Sequence, residues 1–231
     1  MKFSFFDDID RDIANWQASL VRQDNYDYVG DFRGKYFPKD IPVEKAKDKE
    51  YLRNYLTEKF YANGKVAVFR EWLEMNVSAS EVQADLETLM KQKFLVEDFS
   101  VYITVFGLGR YSTQENLFYV IYRSPERDRK ERISAIYHEL MHFLFHWYYW
   151  KYCREAKLSE REIHNFKESL TILLNSVLEK RGLPLDKGYV LHEKLRKQWL
   201  LLYAENPDFP IFLGKAILLF KESLYNKGRL A

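Results

Sequence analysis

The chain has 231 residues, of which 47% are hydrophobic and 30% charged, the make-up of an ordinary globular protein long enough for one substantial core or two small lobes. The net charge is +2 with the two signs interspersed, which excludes recognition of nucleic acid through a general basic field. A single cysteine, Cys153, excludes an intrachain disulfide and favours a reducing compartment, and no run of about 18 apolar residues offers a membrane span.

Met1 to Asp8 places acids where a signal peptide continues its apolar run, so the expected location is the cytoplasm. Asp8 to Gln23 reads as the first helix, and Pro38 and Pro42 bracket a turn. From Val43 to Phe60, Tyr51, Leu52, Tyr55, Leu56 and Phe60 recur at helical spacing. Val66 to Glu74 follows the break at Gly64 as another helix. Ser78 with Glu81 forms a capping-box pattern that opens a helix through about Lys93.

The pattern then changes to β-branched and aromatic runs bounded by turn residues. Ser100 to Phe106 and Leu117 to Tyr122 read as strands, separated by Gly107, Gly109 and the stretch Ser112 to Asn116, with further sheet partners expected in the first half. The short stretch Arg127 to Arg132, broken by Asp128 and Glu131, reads as a solvated helix start. One helix is expected from about Arg129 to Tyr152. A second is framed by Ser159 with Glu162 and by Gly182 with Pro184, and two more lie near Tyr189 to Tyr203 and Pro210 to Tyr225. The expected class is α+β and predominantly helical. A mainly helical region over 1–95 precedes a region over 96–231 that holds a small sheet, a motif-bearing helix and a helical C-terminal lobe.

The motif is His138-Glu139-Leu140-Met141-His142. Residues four apart share a helix face, so both imidazoles can reach one ion, and neutral imidazole suits Zn²⁺ with bonds of about 2.0–2.1 Å. Glu139 stands beside the first ligand, where it can take a proton from a metal-activated water and pass it to a leaving amine. In this pattern, after a strand and inside a largely apolar helix, the chain resembles the zincin metallopeptidases over roughly Val101 to Leu178. The resemblance implies zinc, a peptide or protein substrate, and an edge strand (here Leu117 to Tyr122) that holds substrate by main-chain hydrogen bonds. Neither nucleic acid nor a membrane is an expected partner.

A catalytic zinc keeps a third protein ligand and one open position. The metzincin extension needs Gly at 145 and His at 148, where this chain has Phe145 and Tyr148. His146 continues the spacing but lies roughly 40° further round and about 6 Å further along, so it reads as a packed residue. The gluzincin branch takes a glutamate from the following helix, and Glu168 matches, beside the uncharged run Ser169 to Leu178. Thr171, Ile172 and Asn175 continue its face, and two of them carry groups able to orient ligands. Well-known gluzincins carry Asn before this glutamate and Asp four residues after it, where this chain has Lys167 and Ile172. Glu155, Glu162 and His164 are the other candidates for the third ligand. Tyr189 and His192 are the candidate donors to a developing oxyanion, with Tyr203 or an aromatic near Tyr111 as alternatives. The alternatives to a general peptidase are a narrowly specific regulatory protease of one partner, and a non-catalytic binding module with a structural or degenerate metal site.

Overall fold

The computed structural model describes residues 1–25, 40–105, 109–122 and 129–228. In chain order these form β1 (Lys2–Phe6), α1 (Ile9–Asn25), a 3-10 turn (Val43–Lys45), α2 (Lys49–Leu56), a π-helical turn (Thr57–Tyr61), α3 (Lys65–Asn76), α4 (Ala79–Met90), β2 (Asp98–Thr104), β3 (Tyr111–Ser112), β4 (Leu117–Ile121) and α5 (Arg129–Leu144). A second π-helical turn (Phe145–Tyr149), α6 (Trp150–Glu155), α7 (Glu160–Leu170), a 3-10 turn (Thr171–Leu174), α8 (Asn175–Lys180), a last 3-10 turn (Val190–His192), α9 (Glu193–Glu205) and α10 (Phe209–Gly228) follow. The fold is α+β and predominantly helical, as expected. Pro38, Phe106, Gly107, Pro125, Arg127 and Asp128, which entered the sequence reading, lie outside the described residues. No helix is long and apolar enough to cross a membrane, among the described residues.

The chain divides into two compact units that interleave along the sequence: Met1–Ala79 with Val96–Ile133, and Ser80–Leu95 with Ser134–Ala231. The first unit holds the sheet, in the order β1-β2-β4-β3, with β1, β2 and β4 parallel and β3 antiparallel to β4. The register pairs Phe3 with Phe99 and Val101 with Phe118. Alternation then gathers Phe3, Phe99 and Phe118 on one face, where their rings meet edge to face at 6.1–6.4 Å. One expectation is corrected. β4 is an interior strand among the described residues, with β2 on one side and β3 on the other, so it offers no free edge along Leu117 and Phe118. The physical reason is the hairpin that turns through Asn116, whose φ of 50° is a left-handed conformation that asparagine tolerates and that folds Tyr111–Ser112 back onto β4. As in other parallel strands covered on both faces, β4 is apolar almost throughout.

Elsewhere in the first unit, α1 lays Ile13, Trp16 and Leu20 against Ile41, Ala46, Leu52 and Leu56. The Trp16 indole donates to the Ala46 carbonyl at 2.9 Å, which satisfies its only polar atom inside that core. Asp12 is fully buried on the same helix and caps the end of β2, accepting from the Val105 amide at 3.0 Å, the Thr104 hydroxyl and the Tyr61 hydroxyl at 3.1 Å.

The second unit is a helical assembly around Phe145, Phe166, Trp199, Phe212 and Phe220. Trp199 donates to Ser169 Oγ at 2.8 Å, which ties α9 to α7. Two single helices expected from the sequence are interrupted here. The run from Arg129 is broken by the π-helical turn at Phe145–Tyr149, and the helix after Ser159 by the 3-10 turn at Thr171–Leu174. The consequence for the site is local, because the 3-10 turn starts directly after the last turn of α7, which carries Glu168.

Candidate metal centre

The site lies wholly within the second unit. On α5, His138 and His142 stand one turn apart with ring centroids 4.4 Å apart, and their Nε2 atoms approach to 2.9 Å. His142 is buried, while the His138 side chain keeps 20% of its surface exposed, so the pair opens to solvent on the His138 side. Leu140, Met141, Phe143, Leu144 and Phe145 are buried around the pair and anchor α5 in the core, which is why the helix presents its two histidines at a constant spacing.

Glu168 comes from α7. That helix begins at a reciprocal capping box, with Ser159 N donating to Glu162 Oε2 at 2.7 Å and Glu162 N donating to Ser159 Oγ at 3.3 Å. Phe166 and Leu170 drive its inner face into the core and carry Glu168 inside with them. Its Oε2 lies 3.3 Å from His138 Nε2 and its Oε1 3.2 Å from His142 Nε2. Among the described residues, His138, His142 and Glu168 form a group able to hold a metal ion, each offering one donor atom within 4.8 Å of the others. Donors around zinc at about 2.0–2.1 Å sit about 3.3 Å from one another, close to the 2.9 Å between the two Nε2 atoms and the 3.3 Å from His138 Nε2 to Glu168 Oε2. Glu168 Oε2 is buried without a satisfied hydrogen bond, which also fits a site that expects a cation.

The distal nitrogen of His138 is held. Nδ1 meets Asp186 Oδ2 at 2.7 Å. Asp186 is fixed in turn by Arg196, whose Nη2 donates to Oδ1 at 2.8 Å and to the Asp186 carbonyl at 2.6 Å, and by the Thr171 hydroxyl at 3.1 Å. Asn175 closes a two-way bond with the Asp186 backbone, and Ser134, one turn before His138, donates to the Pro184 carbonyl at 2.7 Å. The loop therefore lies pinned along α5, and the imidazole orientation follows from the carboxylate behind it. Gly188 is required for this. Its φ of 57° is left-handed, and a Cβ there would stand 2.4 Å from Arg196 Nη1.

These contacts order the protons. Burial pulls the His138 imidazolium down, but the hydrogen bond and charge of Asp186, joined by Glu168, outweigh it and hold His138 well above the usual histidine range. Burial and the charge of Lys167 push His142 well below that range. Burial pushes the Glu168 carboxyl up, yet Lys167 and the two imidazoles hold it well below the usual carboxylate range. Asp186 is likewise lowered, by His138 and Arg196 acting against burial.

His138, His142 and Glu168 converge, and Glu139 follows on α5, partly exposed. His146 stacks on Trp150 at 4.2 Å with the rings nearly parallel, and His164 reaches Glu168 Oε1 only at 3.8 Å. Glu162 serves the helix cap and Glu155 pairs with Lys151 at 3.7 Å. Tyr189 and His192 pair edge to face at 5.8 Å, Tyr189 exposed and His192 buried, and His192 is outside the three-residue group. Thr171 and Asn175 hold Asp186, which in turn meets His138. The residues missed are Asp186, Arg196 and Lys167. Position 172 is Ile172, and the carboxylate on His138 comes from Asp186. The stretch Pro184 to Gly188 reads as a surface turn, so no periodicity marks its acid as buried.

No family matches. No protein-family model, curated protein or solved structure is similar to this chain.

Proposed function

We propose that this protein is a zinc-dependent metallopeptidase of gluzincin-like type, with His138, His142 and Glu168 as metal ligands and Glu139 as general base and then general acid. One observation carries the reading: two imidazoles and a carboxylate from separate helices converge at 2.9–3.3 Å, while Asp186 orients the first imidazole from behind. A structural site has no use for an acid at position 139, whereas hydrolysis does. When bound, the ion supplies the Lewis acidity that makes water a nucleophile at neutral pH. Glu139 takes the proton of the attacking water and delivers it to the leaving amine. Asp186, on Nδ1, would keep His138 in the tautomer whose Nε2 is free to bind an ion. Tyr189 and His192 are the proposed donors to the developing oxyanion, and the substrate is a peptide or protein. The buried single thiol of Cys153 is in keeping with a cytoplasmic setting.

The test is metal analysis of protein purified without chelator or histidine tag, followed by the Glu139→Gln variant. About one zinc per chain and, on replacing Glu139, loss of peptide hydrolysis with the metal retained are expected. Undiminished turnover in that variant would falsify the mechanism. Absence of metal after zinc is added back removes the metal reading altogether and leaves a binding module in its place.

A further inference from the structure

The two oxygens of Glu168 stand in different surroundings. Oε1 is crowded: Lys167 Nζ lies 3.0 Å from it, His142 Nε2 3.2 Å and His164 Nε2 3.8 Å. Oε2 faces His138 Nε2 at 3.3 Å and is buried without a satisfied hydrogen bond. The Lys167 side chain is 1% exposed, which is rare for a lysine and costly unless the ammonium is paired. Neighbouring residues on a helix point about 100° apart, so the stem of Lys167 has to bend back for its head to reach Glu168. A metal ion and an ammonium cannot share one carboxylate oxygen without strong repulsion between them.

We infer that Lys167 occupies Oε1 of Glu168 and so confines this carboxylate to a single metal bond, through Oε2. The inference rests on the proposed metal site and goes beyond it, because it assigns the coordination number. A glutamate free to bind through both oxygens fills the position that hydrolysis needs for water. Lys167 prevents this, which keeps two histidines, one oxygen and one open position around the ion. Lys167 is in this sense a positioning residue that acts on the metal's coordination through Glu168.

The experiment starts with the wild-type chain loaded with zinc and examined by X-ray absorption and crystallography. The expected result is one Glu168 oxygen on the metal, with Lys167 Nζ on the other. Cobalt(II) replacement then gives a signature that activity does not enter. The wild type is expected to show the intense visible bands of a four-coordinate ion. Lys167→Met should lose that intensity several-fold as Glu168 closes onto the metal with both oxygens, and Lys167→Arg should restore it. Glu168 bound through both oxygens in the wild type overturns the inference even if Lys167→Met does not fold. A Lys167→Met spectrum identical to wild type overturns it as well. Failure of the wild type to bind zinc or cobalt instead overturns the metal site itself, and this inference with it.

Discussion

Asp186, which is not one of the three residues able to hold an ion, fixes the candidate site most firmly. Asp186 holds His138 Nδ1 at 2.7 Å, and Arg196, Thr171 and Asn175 hold Asp186, so the first ligand has little rotational freedom to lose when it binds. Asp186→Asn keeps the size but removes the charge, and metal affinity is expected to fall about 10–100-fold, the usual range for such partners. Chelator competition measures this, and an unchanged affinity removes Asp186 from the site. A second buried acid, Asp12, works against stability. Burial raises its carboxyl to about 7, more than its bonds from Thr104, Val105 and Tyr61 lower it. The folded chain therefore keeps this proton where the unfolded chain has released it, from pH 3.8 up to about 7. Stability is highest below that window and falls as pH rises through it, by roughly 4 kcal/mol for a shift of this size. Asp12→Asn stays uncharged and should flatten the profile between pH 4 and 7, as read by urea unfolding at several pH values. A slope equal to wild type means that Asp12 does not titrate in this window.

At the scale of elements, the site depends on one helix and on the loop folded over another. α7 brings Glu168 inward because its capped start and its apolar residues Phe166 and Leu170 set its rotation. The loop that carries Asp186 depends on Gly188, where a side chain meets both a left-handed backbone and the Arg196 guanidinium. Gly188→Ala is expected to destabilise the protein by about 1 kcal/mol or more through backbone strain. It should also weaken metal binding in the direction of Asp186→Asn, because Arg196 loses its path to Asp186. Wild-type affinity in a variant that melts earlier separates the strain from the clamp and discards the second half of this prediction.

At the scale of the molecule, both ligand-bearing helix segments and the Asp186 loop belong to the second unit, and the sheet belongs to the first. A ligand that binds only the folded site stabilises by mass action, about 2.7 kcal/mol at a hundredfold excess over Kd. Zinc is accordingly expected to slow amide exchange most in Ser134–Leu144, α7 and α9, and chelator should reverse it. Protection gained equally across β1, β2 and β4 contradicts a site confined to the second unit.

Most of the helical segments, the two long strands and the pair His138 and His142 were legible in the amino-acid order, because each rests on local periodicity, capping or turn chemistry, but the turns at Phe145–Tyr149 and Thr171–Leu174 that interrupt two helices were not. Lys2–Phe6 was not legible as a strand. Five residues carry too short a pattern, and only parallel pairing with Asp98–Tyr102 makes them one. Glu168 was legible through the family resemblance and the uncharged run beside it, since a single acid on a helix has no pattern of its own. Interior placement of β4, the burial of Lys167 against Glu168 and the arrival of Asp186 behind His138 were decided by tertiary structure alone. Each joins groups distant in sequence or places a charge in the core, and what settles them is pairing in a low-dielectric interior, which no local signal encodes.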